Sequence, residues 1–525
     1  RFFRLDLTSE KRFTLSPATI DLIERVEDVL LVRIYLDGDF PAGFQRLQSE
    51  TRQMLDEFRA YNPRIQYEFI NPNGLENQQE REELIQQLQG KGLRPYQLRV
   101  QEEGGGSVKT IFPGAIMSLG EREASFSLLV DQLGAPPETQ INSSIQNLEF
   151  QLANTLRSLV VRNKPLVGFL QGHGEPEPRY LADFANTLAK NYQVNLFNLR
   201  EFKADSLGPE GSILAQQRRV NRFDAIVIAK PQQPFNDLDK FLLDQYVMNG
   251  GRTLWLIDPV KAEIDSLSEK PRFLSLPILR KLNIDDLLFK YGVRLKTNLV
   301  RDMVAAALSD QQQVRPWVYF PLVMPTVDHP ITKDLNAVWL QFASTLDTLP
   351  TEGSRKTILL QSSPYTSTHA APHLVDLGFY YNPPPRERFN QSQLPLAVLV
   401  EGSFQSLYRN RVTPKENGQA LKVKGEVENN QMIVVGDGDI IRNQLNIVNQ
   451  NIPRGAPLPL GFDQFTGQQY GNRDFLLNAV DFLLDDSGLI SIRSRDLKIR
   501  LLDLNRVQDE RLRWQLLNTL APLLM

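Results

Sequence analysis

Between Lys164 and Ile257, short apolar runs alternate with amphipathic stretches, and this alternation restricts the fold more than any other feature of the chain. Leu166–Leu170, Val194–Leu199, Phe223–Ala229 and Thr253–Ile257 read as strands, while Leu181–Lys190 and Leu238–Met248 have helical spacing. Apolar strands that alternate with helices imply a parallel sheet covered on both faces. The rhythm breaks from about Val300 to Lys422, where Pro, Ser, Thr and Gln are frequent, and this stretch reads as an insertion. It resumes at Gln431–Val435, the Gly436-Asp-Gly-Asp439 turn, a helix over Arg473–Leu484 and a strand at Leu489–Ile492. The expected α/β domain is therefore residues 164–299 and 423–495, with an insertion at 300–422 and a largely helical segment at 496–525.

The first third of the chain has its own pattern. Ser16-Pro17 is a helix start, an N-cap followed by proline at the first helical position. Strand Val29–Tyr35, helix Phe44–Arg59, strand Ile65–Ile70, helix Gln79–Gln89 and strand Tyr96–Val100 follow. Gly104–Gly106 reads as a hairpin turn, leading to a pair of strands at Thr110–Leu119 and Ala124–Leu129. A β-α-β start with an antiparallel pair at its end suggests a small thioredoxin-like α/β domain over 1–135. The redox motif that fold often holds needs cysteines, and the chain has none, so a structural or binding role is expected. Pro136-Pro137 marks a linker, and Ile141, Ile145, Leu148, Leu152, Leu156 and Leu159 form one stripe of a linking helix at 136–163, spanning Glu138–Val161 and packed between domains.

With 525 residues the chain exceeds a single core, so about two or three domains are expected. A formal net charge of −3, from 59 basic and 62 acidic residues, gives no concentrated basic face, and nucleic acid is excluded as an expected partner. No run approaches the ~20 apolar residues of a membrane span. The chain opens at Arg1 and closes in the apolar run Leu520–Met525, as the soluble part of a trimmed membrane protein would.

Gly172-His-Gly-Glu175 follows a strand, where α/β sheets commonly place ligands. His173 and Glu175 could form an acid/base or metal pair; the plainer reading is that Gly172 and Gly174 allow a tight turn in which His173 hydrogen-bonds locally. Asp437 and Asp439 end a strand and could hold Mg²⁺ or a hydroxyl-rich ligand, or cap a turn. His369 and His373 have the four-residue spacing of a zinc helix, but Pro372 lies between them; His329 precedes Pro330 and reads as a turn residue. Trp317, Tyr319, Phe320, Trp339 and Tyr365 could line a cleft or fill a core. No catalytic residue, metal site or cofactor is expected.

The opening Leu5-Asp-Leu-Thr-Ser-Glu-Lys-Arg-Phe-Thr-Leu-Ser-Pro17 resembles the segment after the first transmembrane helix of the GldG family of gliding-motility proteins. Gly172–Glu175, Leu254-Trp-Leu-Ile-Asp258, Val434–Asp439 and Gly471–Val480 resemble its later landmarks, in order, and add Asp258 to the ligand- or interface-binding candidates. The resemblance implies a periplasmic portion between two transmembrane anchors in the inner membrane. It also implies association with an ABC permease and, through it, an ATPase subunit, in gliding motility. The second domain would be similar to the class I glutamine-amidotransferase-like (flavodoxin-like) fold, generally without that fold's catalytic residues. Amidotransferase chemistry needs a Cys nucleophile, which is absent. The expected function is a non-enzymatic accessory subunit acting through protein contacts, with self-association as a further expected contact. The alternatives are a subunit binding a sugar or peptide near His173 and Asp437, and a residual hydrolase.

Overall fold

A computed structural model describes residues 14–102, 105–201, 205–209, 211–266, 271–309, 313–494 and 515–516. The chain is mixed α/β. Ser16 caps the first helix, Pro17–Glu24, by accepting from the Thr19 N–H at 3.1 Å, with Pro17 at the first helical position. Leu30–Ile34 and Ile65–Phe69 then pair in parallel across the helix Ala42–Tyr61, and Gly114–Leu119 and Arg122–Ser127 complete an antiparallel edge. By position in the chain these four strands lie in the order 2-1-3-4.

The local differences from the expected elements have physical causes. The single strand expected over Thr110–Leu119 is two, because Pro113 lacks the N–H a ladder needs. Gly105–Ile111 pairs back onto Tyr96–Glu102, so Gly105 and Gly106, expected in the turn, belong to the strand, while Gly104 lies outside the described residues. The helix expected over Glu138–Val161 is two helices, Pro137–Gln146 and Leu148–Val160, meeting at Asn147. Its apolar stripe is buried in the N-terminal core along with Leu30, Leu47 and Met117. Leu489–Ile492 is not a strand; Ile490–Ser494 forms a short 3₁₀ turn whose start is held by the Asp485 carboxylate. Apart from residues 515–516, the segment 496–525 lies outside the described residues.

The second sheet has seven strands. Five are parallel: Leu166–Gln171, Gln193–Asn198, Ala225–Ala229, Arg252–Leu256 and Glu426–Val435. Side by side they run 2-1-3-4-5, a doubly wound order whose carboxyl edge opens a crevice where the direction of winding reverses. Alternate side chains feed two cores: Phe169, Val227, Leu254 and Ile433 pack under the helices Pro178–Leu188 and Asn472–Leu483. Leu170, Ile228, Trp255 and Val434 pack on the other face with Asp237–Met248. Residues 300–422, expected as an insertion, contribute the sheet's remaining strands, Ser354–Gln361 and Pro395–Gln405, which pair antiparallel to each other; the latter runs antiparallel beside Glu426–Val435. The rest of that stretch builds short antiparallel pairs around an aromatic core of Trp317, Tyr319, Phe320, Trp339 and Phe342. These aromatics are buried in a core, while Tyr365 is exposed at the surface.

Candidate functional site

The turn after Leu166–Gln171 and the residue after Ala225–Ala229 meet at the reversal of winding. Gly172 and Gly174 have φ of 104° and 76°, and a side chain on Gly172 would collide with Asn198 at 2.6 Å. The turn they permit buries His173 completely. Its ring stacks on Phe235 with centroids 3.9 Å apart, and Nε2 lies 3.1 Å from Asp239 Oδ2. On the other side Nδ1 is 3.5 Å from Glu175 Oε1, while Glu175 Oε2 accepts the His173 backbone N–H at 2.7 Å. Burial works against the imidazolium, yet the bond to Asp239 and the Glu175 carboxylate facing Nδ1 outweigh it and hold the His173 pKa above its ordinary value. Asp239 belongs to the capping box of the helix Asp237–Met248 and also pairs with Arg200.

The second cluster lies beside the first. Asp258, Asp437 and Asp439 are buried, and their carboxylate oxygens come within 4.8 Å of one another, a spacing that suits a divalent cation. A cation of the chain's own is already there. Lys230 Nζ is 2.9 Å from Asp258 Oδ2 and also bonds Asp439, and Arg442 donates to Asp439 Oδ1 at 2.8 Å. Asp437 accepts the N–H groups of Asp439 and Gln341, each at 2.7 Å. Burial, with Asp258 and Asp439 adding to it, pushes the Asp437 carboxyl well up; burial raises Asp258 as well. Asp439 moves the other way: burial opposes its charge, but Lys230 and Arg442 hold its carboxyl down. The two clusters share the segment after Lys230, since the His173 carbonyl accepts from the N–H groups of Gln232 and Gln233 at 2.7 Å.

Of the seven residues singled out in the sequence, Asp258, Asp437 and Asp439 come together, and Gly172, His173, Gly174 and Glu175 form the adjoining turn. Lys230, Asp239 and Arg200 complete these clusters, and no motif marked them. Gln341 and Ser344 pack on the turn that bears Asp437: the Ser344 N–H donates to the Gly436 carbonyl at 2.7 Å, and a side chain on Gly436 would meet Ser344 O at 2.2 Å. His369 and His373 lie on the strands Thr366–Ala370 and His373–Asp376 and not on a helix. His329 is a turn residue whose Nδ1 accepts from the Ile331 N–H.

A family model described as an ABC-type uncharacterized transport system matches residues 164–479, and a domain of unknown function matches 9–118. An uncharacterized protein of Borreliella burgdorferi is 19% identical over 512 residues, covering 95% of this chain and 86% of the relative. Among solved structures, the mmIFT52 N-terminal domain aligns with a TM-score of 0.34 and 12% identity, over 64% of this chain and 100% of that domain.

Proposed function

Because the chain belongs to the auxiliary family of the ABC-type uncharacterized transport system, we propose that it is a non-enzymatic accessory subunit that works by binding the proteins of such a transporter. The observation that supports this reading is the filling of the crevice at the carboxyl edge of the sheet. Lys230 takes the position a bound cation would hold, Gln341 and Ser344 pack on the neighbouring turn at Asp437 and Gly436, and His173 is buried between Phe235 and two carboxylates. Groups that catalyse need access to a substrate.

The surface offers contacts instead. Leu274 and Leu374 face each other across the strands Arg272–Pro277 and His373–Asp376 and are 55% and 44% exposed, with Leu276 beside them at 48%. An apolar strip of this kind suits a protein partner. In its finer form the proposal is a GldG-type subunit of gliding motility, periplasmic and anchored in the inner membrane, as the landmark motifs imply. The strand orders 2-1-3-4 and 2-1-3-4-5 support thioredoxin-like and amidotransferase-like readings of the two sheets.

Affinity purification of the full protein from its native membranes tests the proposal. An ABC permease and its ATPase should co-purify and be identified by mass spectrometry, and Leu274→Asp with Leu374→Asp should lose them without a change in Tm. Failure to recover either subunit with the wild-type protein would overturn it.

A further inference from the structure

We propose that Arg301, His369, His373 and Tyr319 form a binding site for an oxyanion, a phosphate or carboxylate group, on the β-rich part of the chain; this site lies apart from the filled crevice and goes beyond the accessory role. Strands Asn298–Asp302 and Thr366–Ala370 pair antiparallel, with Arg301 opposite Ser367 and Leu299 opposite His369. Arg301, Ser367 and His369 therefore share one face.

Arg301 is 4% exposed, yet among the described residues no carboxylate lies within ion-pairing distance of it. Its guanidinium meets the His369 Nε2 and lies over the Phe379 ring at 5.1 Å, and its Nε has no hydrogen-bond partner. The hydroxyl of Ser367 is buried and unpartnered too. His373 stacks on His369 with centroids 4.7 Å apart, and its Nε2 is 3.2 Å from the Tyr319 hydroxyl. Both imidazoles are partly exposed, so solutes can reach this face.

Buried charges in proteins are normally paired, and this buried guanidinium, with the neutral groups His369 and Tyr319 beside it, lacks a counter-anion. Its planar fork matches a carboxylate or phosphate group, and the hydroxyls and ring nitrogens around it are the groups that bind oxyanions. The surrounding charges agree. Burial, then Arg301 and His373, hold His369 down to about 4, and burial and Arg301 lower His373 as well. Arg388 adds positive charge against Arg301, while Asp376 bears on Tyr319 and accepts the Gly378 N–H. Near neutral pH both rings are therefore uncharged, and an incoming anion would let them take up protons.

Sulfate is the probe, because its charge is constant across the range in which histidine titrates. It is titrated into the whole chain by calorimetry at about pH 7 and about pH 5.5, with acetate as the carboxylate arm. Saturable sulfate binding is expected, several-fold tighter at the lower pH, at least tenfold weaker in Arg301→Met and weakened in His369→Gln. Tighter acetate than sulfate would assign the site to carboxylates and the reverse to phosphate-type groups, either result supporting an oxyanion site. In anion-free buffer Arg301→Met should be at least as stable as wild type, since it removes an unpaired buried charge. No saturable binding of either anion, or binding that Arg301→Met leaves unchanged, would overturn the proposal. Should Arg301→Met fail to fold, unchanged binding in both His369→Gln and His373→Gln would do the same.

Discussion

The ammonium of Lys230 sits 2.9 Å from the carboxylate of Asp258, at the end of a strand that Lys230 leaves with φ of 47°. That φ is uncommon for a residue with a side chain, and it is kept where the surroundings over-determine it. Here Lys230 is held by the carboxylates of Asp258 and Asp439, which follow two other strands of the sheet. Lys230→Met removes the positive charge, which leaves Asp258 without its cation and Asp439 with Arg442 alone. Breaking a buried pair in this way costs about 3–5 kcal/mol, and urea denaturation should show the loss at neutral pH. Because the abandoned carboxylates can take up protons, the deficit should shrink as the pH falls toward about 5. A variant as stable as wild type at neutral pH would mean that Lys230 is not the counter-charge.

His173 gives the chain a second pH signature. Its folded pKa is raised, so the native state holds a proton that the unfolded state releases above about 6.5. The stability it contributes is complete below that value and is lost as the pH rises through the folded pKa. Asp239 has the opposite sign: burial opposes its charge, but His173 and Arg200 depress its pKa, so its contribution is lost only in acid. Denaturation midpoints of wild type and His173→Gln across about pH 6 to 9 separate the two. The wild-type advantage should fall as the pH rises, by no more than about 1.4 kcal/mol per pH unit, the limit for one proton. A difference that stays flat over this range would show that the ring is neutral in the native state.

The sequence made the parallel strands legible because burial on two faces leaves uninterrupted apolar runs such as Ala225–Ala229 and Met432–Val435. It made Gly172 and Gly174 legible because only glycine enters their backbone conformations cheaply. Pro395–Gln405 also holds an apolar run, Leu396–Val400, but the polar composition around it masked its pairing with Glu426–Val435. The break at Asn147 leaves no mark in the sequence, since the apolar stripe keeps its spacing across it. Lys230 could not be read at all: a lone lysine after a strand has no motif, and its partner Asp439 lies 209 residues away. Arg301 was hidden for the same reason, as its isolation from carboxylates exists only in three dimensions.

Asp481 joins the two parts of the molecule. It sits on the helix Asn472–Leu483, and Arg157 of the helix Leu148–Val160 donates to its Oδ1 at 2.6 Å while the Tyr192 hydroxyl donates to the same oxygen at 2.5 Å. Burial alone would lower the Arg157 pKa, but Asp481 raises it above its ordinary value. With Arg493 of the 3₁₀ turn Ile490–Ser494 donating to Asn478 and lying over Phe150, this contact fixes the N-terminal helices against the second sheet. Asp481→Ala leaves a mostly buried guanidinium and a buried phenol without their acceptor, at a cost of about 3–5 kcal/mol. Pairing it with Arg157→Met removes the orphaned charge and should recover much of that loss, since an apolar replacement of a buried pair is often neutral. The junction itself gives an independent readout. Arg162 is exposed in the short connection after Leu148–Val160, so trypsin should cut there faster in Asp481→Ala than in wild type. Slow cutting restored in the double variant would tie the protection to this contact; equal cutting in all three proteins would show that the two parts are held together by other means.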